Sequence, residues 1–259
     1  MSRSADEERV ATDSSVGRSA DSTQRTRSVT HALLVVLFAF AAAAVMQEVW
    51  LTVMNRTGVA DDGSPLLMQV VPMALHFAGF LVVCGAYLHW RSDRELFLIA
   101  RPSQRDIRWI LLGFSGLVAL LVGFDILLSQ VGLEPAENAS VEVGMENPQL
   151  FLYFIPVVLL LNAPAEELLF RGVVQGLFRR AYGVVPGILV ASLVFGLVHY
   201  VALVGTGSRL SYVGIAFVSG LVLGGLYEYT ENLLVPIAVH ACWNSLVYLN
   251  LYLHATGTI

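Results

Sequence analysis

Seven apolar runs, each about as long as a membrane is thick, dominate this sequence. They cover roughly residues 30–54, 66–90, 107–131, 149–179, 186–204, 211–228 and 232–253. A run of that length crosses a bilayer as a helix, because in lipid only a helix or a closed barrel satisfies its own backbone. Composition agrees. Hydrophobic residues make up 56% of the 259 residues and charged residues 14%, against about 25% charged in soluble domains. The expected fold is all-α: a polytopic membrane helix bundle of about seven transmembrane helices.

Residues 1–28 are polar and poor in aromatics, and read as a disordered tail. Residues 29–259 read as the membrane domain. The first apolar run starts too late and continues too far for a cleaved signal peptide, so a retained helix is expected. Cys84 and Cys242 both fall in apolar runs and are expected to be small core residues without a disulfide.

Every basic side chain is arginine, and the arginines alternate in side. Arg25 and Arg27 precede the first run. Arg91, Arg94, Arg101, Arg105 and Arg108 lie between the second and third, and Arg179 and Arg180 follow the fourth. The loop 132–149 holds four glutamates and no basic residue. Only Arg56 and Arg209 break the pattern. The positive-inside rule then predicts a multi-pass protein of the cell membrane with a cytoplasmic N-terminus. The segment 95–109 is expected to lie along the cytoplasmic interface. Membrane lipid is the expected surrounding, and no nucleic-acid partner is expected.

The fourth run is unusual. Pro156 and Pro164 predict a kink or break, and "NAPAEELLFRG" places Glu166, Glu167 and Arg171 in an apolar helix. An ionisable group there costs about 2.5–3.5 kcal/mol on insertion scales. Glu167 and Arg171 stand at i and i+4 and can neutralise each other. Glu166 is turned about 100° from Glu167 and about 140° from Arg171, so its partner must come from elsewhere. Asn162 lies one turn earlier on a similar face, placed either to bond the backbone near Pro164 or to line a cavity. "GVVQG" (172–176) and "GLVLG" (220–224) are small-residue patterns of the kind that lets helices approach closely.

Two later runs supply partners. "FGLVH" ends at His199, and "HACWN" puts His240 and Asn244 at i and i+4. Counted from the arginine-rich ends at 1.5 Å per residue, Glu166, His199 and Asn244 lie at roughly 20 Å and His240 at roughly 13 Å. Four polar groups on three helices thus fall in one layer. A poorly solvated carboxylate is a stronger base than one in water and can activate a water molecule. An imidazole can share that water. A second imidazole and an amide can donate to a developing oxyanion. Glu166, His199 and His240 could equally hold one zinc ion, although no HExxH is present. Glu48, Asp125, His76 and His89 have no matching spacing. For Glu48 and Asp125 structural pairing or an interfacial position is expected, with cavity lining as the other reading; both histidines read as structural.

The order EExxxR, FxxxH, HxxxN on successive membrane helices closely resembles the CAAX-protease and bacteriocin-processing family of intramembrane endopeptidases, which includes the type II CAAX prenyl endopeptidases. The resemblance covers about residues 105–250. It implies a bundle with a cavity open toward the cytoplasm and hydrolysis of peptide or lipidated-protein substrates. It implies that Glu166 and His199 activate water, and that His240 and Asn244 support the oxyanion. Glu167, Arg171 and Phe195 would brace the site. Family members have been classed both as metalloproteases and as glutamic proteases, so the cofactor expectation is either none or one zinc ion. A non-proteolytic membrane scaffold or immunity-type protein on the same fold is the alternative reading, and an ion-coupled transporter with a proton relay is a third.

Overall fold

The computed structural model describes residues 3–59, 64, 66–91 and 96–259. Among them, seven helices are long and apolar enough to cross a membrane. We number the helices α1 (Arg3–Thr57), α2 (Val71–Arg91), α3 (Gln104–Gln130), the short α4 (Ala139–Glu146), α5 (Gln149–Tyr182), α6 (Val184–His199), α7 (Arg209–Thr230) and α8 (Leu234–Ala255). The protein is an all-α polytopic helix bundle. Many large apolar side chains point outward, among them Leu37, Phe38, Leu111, Leu112 and Leu160. Such a surface suits lipid and would be a liability in water.

The helix boundaries lie within a few residues of the apolar runs, with one difference at the start. Helix α1 continues back through the polar segment to Arg3, where composition leads us to expect a disordered tail. A helix already nucleated in the membrane adds one hydrogen bond for each residue it extends. Arg25 lies over the Tyr182 ring at 5.5 Å and Ser28 is buried, so the last residues of that segment pack on the bundle. Arg94, used in the orientation argument, lies outside the described residues.

Helix α5 is the most enclosed of the seven. Its prolines do not break it. The chain stays helical from Gln149 to Tyr182, with wider π-helical turns at Val158–Asn162 and Leu168–Gln175. A π turn absorbs the register change that a missing proline N–H imposes on the backbone ladder. It also aligns side chains. Residues four apart drift by about 40° per step in an α-helix, and the wider turn takes part of that back. Glu167, Arg171, Gln175 and Arg179 therefore form one polar stripe.

Close helix approach follows the small residues. A Cβ at Gly79 would lie 2.7 Å from the Ala43 backbone nitrogen, which sets the spacing of α1 and α2. Gly220 meets Ser192 of α6, and Gly224 meets Gln175 of α5. Both glycines of "GLVLG" thus serve close packing. So does Gly176 of "GVVQG", which abuts the Leu96 carbonyl. Cys84 is buried as expected, but Cys242 is exposed. It lies on the outer face of α8, so an apolar run alone does not place a residue in the core.

The two ends of the bundle differ. At the arginine-rich end the segment 96–100 crosses the helices. The Leu98 N–H donates to the Tyr227 hydroxyl (3.1 Å), and the Leu98 carbonyl accepts from the Leu233 N–H (2.8 Å). The Ala100 N–H donates to Asn232 Oδ1, and the Ala100 carbonyl accepts from Asn232 Nδ2. Leu96 is buried, while Leu98 and Ile99 stay exposed, as an interfacial segment should. At the other end the loops 131–138 and 203–208 are joined. The strand β1 (Glu137–Asn138) pairs antiparallel with β2 (Leu203–Val204), and the N–H of Ser208 donates to the Glu134 carbonyl.

The Gly79 contact can be tested. Gly79→Val is expected to lower the unfolding free energy of the purified protein in detergent by about 1–3 kcal/mol, the usual cost of overpacking. Gly85→Val should not, because a Cβ at Gly85 meets nothing within 4 Å.

Candidate active site

The site forms where α5, α6 and α8 meet. Its foundation is the Glu167–Arg171 pair predicted from spacing. Arg171 Nη1 donates to Glu167 Oε1 at 3.0 Å, and the two side chains are 1% and 0% exposed. A second guanidinium nitrogen donates to the Gly220 carbonyl at 3.2 Å, tying α5 to α7. The Arg171 guanidinium also lies over the Phe195 ring, 4.5 Å from its centre. Phe195 is buried, edge-on to Phe170 and His199. A buried charge of this kind is tolerable only when paired and hydrogen-bonded.

His240 joins this foundation to Glu166. Its Nδ1 lies 2.8 Å from Glu167 Oε1, and its Nε2 lies 3.7 Å from Glu166 Oε2. The Glu167 contact makes Nδ1 the protonated nitrogen, because a carboxylate only accepts. Glu166 finds its imidazole in His240. Glu166 Oε2 is buried and has no hydrogen-bond partner among the described residues.

His199 and Asn244 complete the set. The Nδ1 of His199 lies 2.6 Å from the Phe195 carbonyl oxygen. It must therefore carry the proton, which leaves Nε2 as an acceptor. Asn244 Nδ2 donates to Asn162 Oδ1 at 3.0 Å, leaving its second N–H uncommitted by that bond. Of the two readings of Asn162 the structure has the second: it lines the cavity, and there it accepts from Asn244.

Glu166, His199, His240, Asn244 and Asn162 all line one cavity of about 570 Å³, in the range of small-molecule and peptide-subsite pockets. Met73, Phe77, Phe154, Trp243 and Val247 make most of it apolar. Its polar residues include several that no sequence motif singled out. His76 lines it and lies 3.4 Å from Gln47 Oε1, so the structural reading of His76 understated its place. The Tyr248 hydroxyl meets Ser140 Oγ at 3.0 Å, which in turn donates to Asn138. Nothing in the local sequence of Ser140 announces that contact. Glu48 and Asp125 are exposed and lie outside the lining.

The lining also shows which end of the bundle the cavity approaches. A cavity open at the arginine-rich end would be lined by residues near 96–103, 180–186 or 230–234. The lining instead includes Asn138–Val141, Val143, Val201 and Ala202, which belong to the opposite end. The arginine-rich end is filled by the segment 96–100 and by a polar network. In it Gln175 donates to Glu228 Oε1 (2.8 Å) and to the Gly224 carbonyl, and Arg179 Nη1 pairs with Glu228 Oε2 (3.2 Å). Gln175 was not singled out from the sequence. Its place four residues after Arg171 was the available signal.

The zinc alternative can be judged from the donors. Among the described residues, no group of three or more His, Cys, Asp or Glu side chains comes together as a metal site would require. Glu166, His199 and His240 do not fit a zinc triad in this arrangement.

The fold and the site define a class: a polytopic helix bundle with an intramembrane layer of glutamate, histidine and asparagine from three helices. Residues 148–246 match the family model described as type II CAAX prenyl endopeptidase Rce1-like. That matched segment encloses every candidate residue from Asn162 to Asn244. The uncharacterized protein YpbD of Bacillus subtilis (strain 168) is 33% identical over 140 residues, a stretch covering 52% of this chain and 65% of the relative's length. No solved structure matches the chain.

Removing one member of the central pair should be more harmful than removing both. Arg171→Met leaves Glu167 as a buried, uncompensated charge and is expected to cost about 3–5 kcal/mol. The double variant Glu167→Gln/Arg171→Met should recover at least half of that loss. Reversible unfolding in mixed micelles measures both.

Proposed function

We propose that the protein is an intramembrane endopeptidase acting on peptide or lipidated-peptide substrates, with residues 29–259 as its membrane domain and its N-terminus in the cytoplasm. The observation that carries this reading is Glu166, a carboxylate with a buried, unpartnered oxygen, which lines one cavity together with His199, His240 and Asn244. The Rce1-like match over residues 148–246 supports it.

In this reading Glu166 and His199 bind the attacking water. Both present acceptors, so the water donates its two protons to the Glu166 carboxylate and His199 Nε2 and directs a lone pair at the scissile carbonyl. Attack moves one water proton to Glu166. The carbonyl oxygen becomes an oxyanion that accepts from the Asn244 N–H and from His240 Nε2 when that ring carries both protons. The tetrahedral intermediate then collapses, the C–N bond breaks, and Glu166 returns its proton to the leaving amine. Glu167 holds His240 through Nδ1, and Arg171 holds Glu167. With His240 doubly protonated, the four groups Glu166, Glu167, His240 and Arg171 sum to zero charge, which suits a poorly solvated site.

The test is cleavage of a fluorogenic prenylated peptide and of a peptide library by purified protein. Glu166→Gln is expected to abolish cleavage with the unfolding midpoint unchanged. Asn244→Ala should lower kcat about 10²–10³-fold, the usual effect of losing one oxyanion donor. Activity is expected to survive a chelator. Full activity in Glu166→Gln sinks the proposal, and loss with chelator restored by zinc moves Glu166 and the histidines to a metal.

A further inference from the structure

We propose that His76 builds a substrate-binding subsite on the α2 wall of the cavity, where its Nε2 accepts a hydrogen bond from a main-chain N–H of the bound peptide. This rests on the endopeptidase reading above and adds a residue that sets how the peptide lies.

The geometry starts from the close contact of α1 and α2. Gly79 lets α2 approach the backbone at Ala43, and one turn away the same approach sets Gln47 of α1 against His76 of α2. Gln47 Nε2 donates to the Pro72 carbonyl at 3.2 Å, which leaves its Oε1 for His76, whose Nδ1 lies 3.4 Å away. An amide oxygen only accepts, so Nδ1 carries the proton of the neutral ring and Nε2 is the acceptor. The ring is held on its sides as well. Phe40, Phe77 and Phe80 surround it, with ring centres 5.9, 5.1 and 4.8 Å from its own. One amide and three phenyl rings thus fix a single imidazole in place.

Its second nitrogen is left over. Among the described residues, Nε2 makes no hydrogen bond. Nor is it walled in, because the buried side-chain atoms without a partner belong to Glu166, Glu167, Gln175, Ser192 and Ser245. An imidazole in a membrane helix is costly, and the long contact to Gln47 offsets little of that cost. The bond to the Pro72 carbonyl gives Gln47 a structural role. Nothing comparable accounts for His76.

His76 also stands where a bound peptide passes. It lines the same cavity as Glu166, His199, His240 and Asn244. Helix α2 packs on the turns of α5 that carry Glu166, with Phe77, Phe80, Ala165 and Leu169 in one buried cluster. A peptide in a mostly apolar cavity brings N–H groups that have lost water and need acceptors. Other polar groups of the lining are already engaged. Asn138 Oδ1 accepts from the N–H and the hydroxyl of Ser140, and the Ser219 hydroxyl donates to the Ile215 carbonyl. The Gln47–His76 pair lies outside residues 148–246, so the segment that matches the family model does not carry it.

The test uses the peptide that wild type cleaves fastest, remade with an ester in place of one flanking amide at a time, the scissile amide excepted. Each ester removes one N–H. His76→Phe is expected to raise KM about three- to tenfold, the effect of one hydrogen bond, with kcat changed by less than about twofold. His76→Gln keeps an acceptor and should bring KM back toward that of wild type. At one position the ester should raise the wild-type KM as much as His76→Phe does, and leave the KM of His76→Phe unchanged. An unaltered KM in His76→Phe overturns the proposal. So do ester losses that are equal in the two proteins at every position, which is what a merely structural His76 would give. Binding separates this from the hydrolase reading. By fluorescence anisotropy, a labelled prenylated peptide is expected to bind Glu166→Gln about three- to tenfold more tightly than Glu166→Gln/His76→Phe. If that difference holds while wild type cuts no peptide, the endopeptidase reading falls and the subsite stands. Equal binding, or none, overturns the subsite.

Discussion

The buried contact between Glu167 and Arg171 is the constraint on which the rest of the site depends. Neither charge is tolerable in that layer alone, and together they fix more than each other. Arg171 reaches the Gly220 carbonyl and covers the Phe195 ring. Glu167 accepts from His240. One ion pair thus ties α5 to α6, α7 and α8. The interactions are directional, so they also set the rotation of each helix about its axis. In lipid, where apolar burial does little to drive helices together, such contacts and close backbone packing carry much of the specificity.

The same logic runs down α5. Gln175 repeats one turn below what Arg171 does above, bonding the Gly224 carbonyl as Arg171 bonds that of Gly220. The Gln175 contact needs its glycine, because a Cβ at 224 would stand 2.7 Å from Gln175 Oε1, while Gly220 makes room for Ser192 of α6. Small residues on α7 and polar residues on α5 are therefore one device. They close one end of the bundle and leave the polar layer facing the other. Two imidazoles are held by their Nδ1 atoms, His240 on a carboxylate and His199 on a carbonyl, which leaves both Nε2 atoms for chemistry.

Much of this was legible in the order of residues. The seven helices follow from apolar run length. The Glu167–Arg171 pair follows from i, i+4 spacing, and the shared layer of Glu166, His199, His240 and Asn244 from residue counts along three helices. Other features escaped for physical reasons. Pro156 and Pro164 suggested a kink or break, and of the two the break is absent, because π-helical turns keep α5 continuous. His76, Ser140 and Tyr248 reach the cavity through contacts between helices and loops far apart in the chain. Cys242 lies in an apolar run yet faces outward, because an apolar run in lipid has no polar side to reveal which face is buried.

The amino-acid order by itself determined the membrane architecture, the depth of each polar group and the asymmetry of arginines between the two ends. All three depend on position along the chain, and rise per residue and hydropathy convert position into depth. Tertiary structure alone decided which imidazole serves which carboxylate, that Asn162 holds Asn244, and which end of the bundle is filled. Those depend on helix rotation and lateral order, to which a depth count is blind. The plug at 96–100 shows the difference most plainly. Its sequence announces an interfacial segment, and only its hydrogen bonds to Tyr227, Leu233 and Asn232 place it across the end of the bundle.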